Sequence, residues 1–253
     1  MTLAAESGRS IYFYDPVTTS NSASHTISIN NQRTDTGAVV FDGSGYDRAV
    51  DRFSNVYGNT TVGYGSLILN GGVSYGAERN TGSFTLNEWA TLSTDATTNR
   101  IQANRITMNG TVDIVKGGTM ELAADAGVYF GGTMNIGLGM DSSGYMDTLG
   151  SFTRFENGAM MSLYWDDNLD ALYDGWTNDY SLFGTFNVFG LDNLSLDMSA
   201  FDAYEGFSWG WNNSILTLSY NGNGDPTTTP EPATLAIIGL GLAGLGLARR
   251  RRR

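Results

Sequence analysis

Short stretches in which polar and apolar residues alternate recur along the chain, each closed by glycine, asparagine or aspartate. Thr111 to Ile114 reads Thr-Val-Asp-Ile, Thr119 to Leu122 reads Thr-Met-Glu-Leu and Thr133 to Ile136 reads Thr-Met-Asn-Ile. All three follow a glycine. Strict alternation sends two side chains to each face of a strand, so each unit offers two apolar residues to an interior. Ile11 to Phe13, Thr26 to Ile29, Ala38 to Phe41, Tyr57 to Asn70, Ser83 to Leu86, Ala90 to Leu92, Ile101 to Met108 and Ser214 to Tyr220 read as further strands. Their bounds are turn signals such as Asp15-Pro16, Asn30-Asn31 and Asp42-Gly43. The fold class predicted is all-β, with almost no helix before residue 226. A sandwich or an open barrel is also built from short strands. Similar units with glycine corners and variable insertions favour a parallel β-helix, a solenoid in which each coil stacks its apolar residues on the next.

The segment Met1 to Phe13 aligns with Met120 to Phe130 across a two-residue gap. The first ten residues have neither a basic start nor an apolar core, so they do not form a signal peptide. The expectation is a chain that starts in mid-repeat, with export signal and earlier coils upstream. Tyr57 to Asn70 carries an aromatic-Gly-x-x-Thr-Val turn leading into Gly-x-Leu-x-Leu-Asn, through Tyr57, Gly58, Thr61, Val62, Gly65, Leu67, Leu69 and Asn70. This unit resembles the autotransporter-associated β-strand repeat, with weaker echoes at 37–41 and 110–136. The resemblance implies a right-handed β-helix displayed outside the cell.

Aromatic residues concentrate between residues 140 and 220, which divides the chain into repeats (1–139), an aromatic-rich set of final coils or cap (140–220), a linker (221–232) and a tail (233–253). Closing the open end of a solenoid is the role expected for these rings, because an uncapped end exposes apolar surface and unpaired backbone. Trp165, Trp176, Trp209 and Trp211 are also candidates for stacking on sugar rings.

Charge narrows the partners. Residues 1–248 hold nine basic residues against twenty-six acids, a formal charge of −17. Such a body repels nucleic acid. Cysteine is absent and His25 is the sole histidine, so thiolate zinc sites and cysteine nucleophiles are excluded and no histidine cluster can form. The densest acidic run, Asp166, Asp167, Asn168, Asp170 and Asp174, offers oxygen ligands that could hold calcium through Asp166, Asp167 and Asp170. It departs from an EF-hand loop, with Ala171 where the glycine belongs and Thr177 where the bidentate glutamate belongs, so a solvated loop is the expectation. Paired carboxylates could run glycoside hydrolysis, but twenty-six acids supply such pairs by chance. No catalytic residue and no cofactor are predicted. Thr60-Thr61 and Thr97-Thr98 do not recur at an evident coil position, which argues against an ice-binding threonine ladder.

The last two dozen residues are of a different kind. Pro230, Glu231 and Pro232 precede sixteen uncharged residues, Ala233 to Ala248, and then five arginines, Arg249, Arg250, Arg251, Arg252 and Arg253. As a helix the apolar run measures about 24 Å, short for a bilayer core of about 30 Å unless the membrane thins or the arginines snorkel. The arginines are a stop that keeps the C-terminus cytoplasmic. This order of motif, apolar helix and arginine cluster resembles the PEP-CTERM sorting signal of Gram-negative and related bacteria. The resemblance implies recognition and cleavage by an exosortase, often in organisms that make exopolysaccharide. The function expected is therefore an exported structural protein of the cell surface or extracellular matrix. The alternatives are a carbohydrate-active, pectin-lyase-like enzyme, or a carbohydrate- or calcium-binding adhesin, on the same β-helix.

Overall fold

In a computed structural model, the described residues are 1–19, 25–45, 53–54, 56–76, 81–168, 172–184, 187–202, 206–212 and 214–221. They form a parallel β-solenoid of about six turns followed by a small antiparallel sheet. The solenoid has three sides. The first stacks Thr2–Leu3, Thr26–Ile29, residues 59–62, residues 83–86, Arg105–Met108, Val128–Phe130, Thr153–Phe155 and Val188–Phe189. The second stacks Ser10–Phe13, Ala38–Asp42, residues 66–70, residues 91–94, Thr111–Ile114, Thr133–Leu138, Met160–Trp165 and Ser195–Asp197. The third is shorter, from Phe53–Ser54 through Ser74–Tyr75, Thr98–Ala103 and Thr119–Ala124 to Tyr145–Asp147. One turn takes between 20 residues, from Leu92 to Val112, and 35, from Met161 to Leu196.

The alternating pattern explains the interior. On the second side Val39, Leu67, Leu92, Val112, Met134 and Met161 succeed one another in register, and all are fully buried. On the first side the matching line is Ile29, Val62, Leu86, Met108, Phe130 and Phe155. Burying one such side chain is worth about 1.5–3 kcal/mol relative to leaving it in water, so every added coil adds two or more contributions of that size. Asn30 secures an inner corner: its backbone is left-handed (φ 48°), its Oδ1 accepts from Ala5 N–H at 2.8 Å, and its Nδ2 donates to the Gly37 carbonyl at 2.9 Å. A buried side chain that satisfies backbone groups of adjacent coils removes what would otherwise be a desolvation penalty.

The structure adds three things the local pattern did not show. Ile101 to Met108 is not one strand: Asn104 ends Thr98–Ala103 on the third side, and Arg105–Met108 begins the first. The unit at 119–122 shares its pattern with those at 111–114 and 133–136 but lies on the third side, whereas the other two pair directly on the second. Threonines do recur at one coil position: Thr61, Thr85 and Thr107 align on the first side, and Thr91, Thr111 and Thr133 on the second. The pairs Thr60-Thr61 and Thr97-Thr98 concealed this, because unequal insertions separate residues that the parallel register brings together.

The last coils carry an antiparallel sheet of Trp176–Ser181, Ile215–Tyr220 and Phe207–Asn212, in the spatial order first, last, middle strand of the chain. Leu216 and Leu218 are fully buried, and Tyr180 and Trp176 nearly so. Trp165, on the last long solenoid strand, meets Trp176 at 5.6 Å and Phe207 at 6.0 Å between ring centroids, and Phe207 meets Phe201 at 5.5 Å. Helix among the described residues amounts to Ser199–Asp202 and a 3-10 turn at Leu191–Asn193. None of these helices is long and apolar enough to cross a membrane. The apolar segment 233–248 lies outside the described residues.

Candidate functional site

The acidic run begins where the strand Met160–Trp165 leaves the solenoid, so Asp166 and Asp167 hang over the corner between the second and third sides. Asp167 accepts a hydrogen bond from the Lys116 ammonium through Oδ1 and another from the Met140 N–H through Oδ2 at 2.7 Å. The lysine contact, then the amide, hold its carboxyl below the usual carboxylate range. The same contact pushes the Lys116 ammonium up, with Asp141 and Asp166 adding to the effect. This clasp ties the turn after Thr111–Ile114 to the loop after Thr133–Leu138. Tyr180 reinforces that loop by donating its hydroxyl to the Gly139 carbonyl, and the Asn178 Nδ2 donates to the Met140 carbonyl at 3.1 Å. Burial pushes the Tyr180 phenol up to about 12.

Of the three calcium candidates, Asp167 is thus engaged by protein donors, Asp166 lies beside the clasp, and Asp170 falls outside the described residues. Among the described residues no three histidine, cysteine or carboxylate side chains group so as to hold a metal ion. A second carboxylate that the sequence did not single out, Asp95, is likewise structural. Burial pushes it up, but hydrogen bonds from the Thr97 hydroxyl, the Gly71 N–H, the Asn99 amide and the Thr97 N–H outweigh this and hold it below its ordinary range. His25 is exposed at the first side, where its carbonyl accepts from the Asn59 N–H at 2.8 Å.

Three of the four tryptophans considered for sugar stacking lie in packed surroundings. Trp165 and Trp176 meet edge to face, Trp165 Nε1 is buried without a hydrogen-bond partner among the described residues, and Trp211 packs on Phe183 at 6.0 Å. Trp209 is 51% exposed, and Trp89, which sequence reasoning passed over, is 65% exposed. Outside the first side a stack runs along the solenoid axis. The Arg105 guanidinium sits 3.8 Å from the Tyr129 ring centroid, Tyr129 is 6.1 Å from Phe152, and Phe152 is 5.0 Å from Phe189. Each member comes from a successive coil, so the stack staples coils together from outside.

On the second side the threonine line has a neighbour two residues further along each strand: Ser93, Asp113, Asn135, Ser162 and Asp197. Asp113 accepts from the Ser93 hydroxyl at 3.5 Å and from the Asn135 amide at 2.5 Å, and Asp197 accepts from the Ser162 hydroxyl at 3.2 Å. In the sequence the signal for this array was the Gly-Thr pair at Gly110-Thr111 that returns 22 residues later at Gly132-Thr133.

The sorting residues Pro230, Glu231 and Pro232 lie outside the described residues, as do all five arginines of the expected membrane stop, Arg249, Arg250, Arg251, Arg252 and Arg253. Residues 228–253 match the family model of the PEP-CTERM protein-sorting motif. That motif implies an exported protein that an exosortase recognises. No family match supports the likeness of residues 57–70 to the autotransporter-associated repeat. No curated protein and no solved structure matches the chain.

Proposed function

We propose that this chain is a structural protein of the bacterial cell surface or extracellular matrix, without catalytic activity, held briefly in the membrane by its tail until an exosortase removes it. The observation that carries the reading is the sorting motif at residues 228–253 on a chain whose body is a parallel solenoid. In this reading Ala233 to Ala248 enters the bilayer, and Arg249, Arg250, Arg251, Arg252 and Arg253 keep the C-terminus in the cytoplasm. Pro230, Glu231 and Pro232 are the residues the exosortase reads. The body then sits outside the cell, in the manner of a right-handed passenger solenoid, with exopolysaccharide as its surroundings.

Two features support a structural role. Two carboxylates at the solenoid corners, Asp167 and Asp95, are taken up by protein hydrogen bonds. A charge of −17 over residues 1–248 suits a well-hydrated component that neither collapses nor binds polyanions. The test supplies an export signal ahead of Met1 in a host that has an exosortase and probes intact cells and medium with an antibody to the body. Body on the surface or in the medium, shortened by the tail, is the expected result; full-length chain confined to the cytoplasm sinks the reading.

A further inference from the structure

We propose that the second side of the solenoid binds ice, through the grid formed by Thr91, Thr111 and Thr133 with Ser93, Asp113 and Asn135. The three threonines occupy one line along the axis because each pairs directly with the next, Thr91 with Thr111 and Thr111 with Thr133. Parallel neighbours lie about 4.8 Å apart, and positions two residues apart on one strand lie about 6.7 Å apart, so the six side chains mark a nearly rectangular lattice. Threonine is β-branched and restricted at χ1, which limits how each coil can present methyl and hydroxyl. The backbone ladder beneath holds this lattice rigid, so a ligand loses no ordering entropy of the protein on binding.

Hydrogen bonding and charge select the occupant. The hydroxyls of Thr91, Thr111 and Thr133 have no protein partner among the described residues, whereas the adjoining line is tied together through Asp113. That carboxylate is the one charge in the grid, and both of its oxygens already accept from neighbours. The body as a whole is strongly acidic, yet the threonine line presents a periodic, neutral set of methyls and hydroxyls. An ionic partner has only Asp113 to pair with, and that carboxylate already accepts from Asn135 and Ser93. A neutral crystalline lattice of water fits instead, since the methyls settle into its surface and the hydroxyls join its hydrogen bonds. Binding is the sum of many weak, simultaneous contacts, which is why register matters more than any single residue. Ser66 and Met160 stand at the same coil position below and above the threonines, so the matched patch spans three coils and its effect is on slow ice growth.

The experiment is ice-affinity partition of the full-length chain in detergent, freezing slowly onto a cold finger. It is followed by ice recrystallisation in the same buffer, with detergent alone and an unrelated protein as controls. Wild type is expected to be enriched in the ice and to slow crystal coarsening. Thr111→Tyr, which raises one lattice point above the plane, is expected to lose both effects with its melting curve unchanged. Thr107→Tyr, on the first side, is expected to keep them, and Thr133→Tyr replaces Thr111→Tyr should that variant fail to fold. Wild type excluded from ice like the control protein, or Thr111→Tyr and Thr133→Tyr as enriched as wild type, overturns the proposal. So does retardation of the chain in a gel containing neutral glucan without any partition into ice, which assigns the face to a polysaccharide instead.

Discussion

Gly82 lies directly over Gly58, one coil apart, and a Cβ on Gly82 would run into the Gly58 carbonyl oxygen. Both glycines have positive φ, 59° and 103°. Gly82→Ala therefore meets two costs, the left-handed backbone at about 1–2 kcal/mol and a backbone clash that forces the coils apart. Gly117 separates the two, since it is also left-handed (φ 74°) but has nothing within 4 Å of its notional Cβ. Gly117→Ala should lower stability by about 1 kcal/mol, and Gly82→Ala by clearly more. Urea denaturation of both variants checks this, and equal losses would show that coil contact at Gly58 does not matter.

The clasp between Lys116 and Asp167 predicts a pH dependence with a defined sign. Asp167 has a folded pKa below its unfolded value, so its contribution is present above the ordinary aspartate range, about 3.9, and is lost as pH falls through the lower, folded value. Lys116 has a raised folded pKa, so its contribution is present below about 10.4 and disappears as pH rises through the higher, folded value. Asp167→Asn should thus melt below wild type at pH 7, with the two curves converging under strong acid. A gap that stays constant down to about pH 2, below the aspartate range, would assign the effect to packing.

The same clasp bears on calcium. Asp167 already accepts from Lys116 and Met140, so millimolar calcium should leave the melting temperature where it is. A rise of several degrees that Asp167→Ala abolishes would establish a site there.

Tyr180 reports on the packing of the antiparallel sheet against the loop after Thr133–Leu138. Its phenol, raised to about 12 by burial, should stay protonated while exposed tyrosines ionise near pH 10. Because the unfolded chain ionises first, stability falls as pH rises from about 10 toward 12, and Tyr180→Phe removes part of that slope. At neutral pH the variant loses the hydrogen bond to the Gly139 carbonyl, a cost of about 1 kcal/mol. Absorbance titration and melting at the two pH values check both statements.

Much of the solenoid was legible because alternation fixes which residues face inward. Thr-Val-Asp-Ile and Thr-Met-Asn-Ile both bury their second and fourth residues, as the pattern requires. What the pattern cannot convey is the side on which a unit sits. The local sequence of Thr119 to Leu122 looks the same, yet corner lengths decide position, and Gly117-Gly118 carries that unit to the third side. The alignment of Met1–Phe13 with Met120–Phe130 mixes sides in the same way, since Ser10–Phe13 lies on the second and Val128–Phe130 on the first. Turns of 20 to 35 residues hid the threonine lines for the same reason. Asn30 and Asp95 were illegible because their roles consist of bonds to distant backbone. The acidic run was visible as residues, but the partner that commits Asp167 lies 51 positions away.

Outward delivery of the body and its release from the tail are tested most directly by fractionation of a reporter that carries an export signal followed by residues 229–253. Without an exosortase the reporter should remain in the membrane fraction, and with one it should appear shortened in the soluble or extracellular fraction. Changing Pro230, Glu231 and Pro232 to alanine should block release while leaving membrane association intact. Replacing Arg249, Arg250, Arg251, Arg252 and Arg253 by neutral residues should weaken retention, because each arginine is costly to move through the bilayer. A reporter that is wholly soluble in the host lacking the exosortase, or that is processed equally well without Pro230-Glu231-Pro232, would contradict the account.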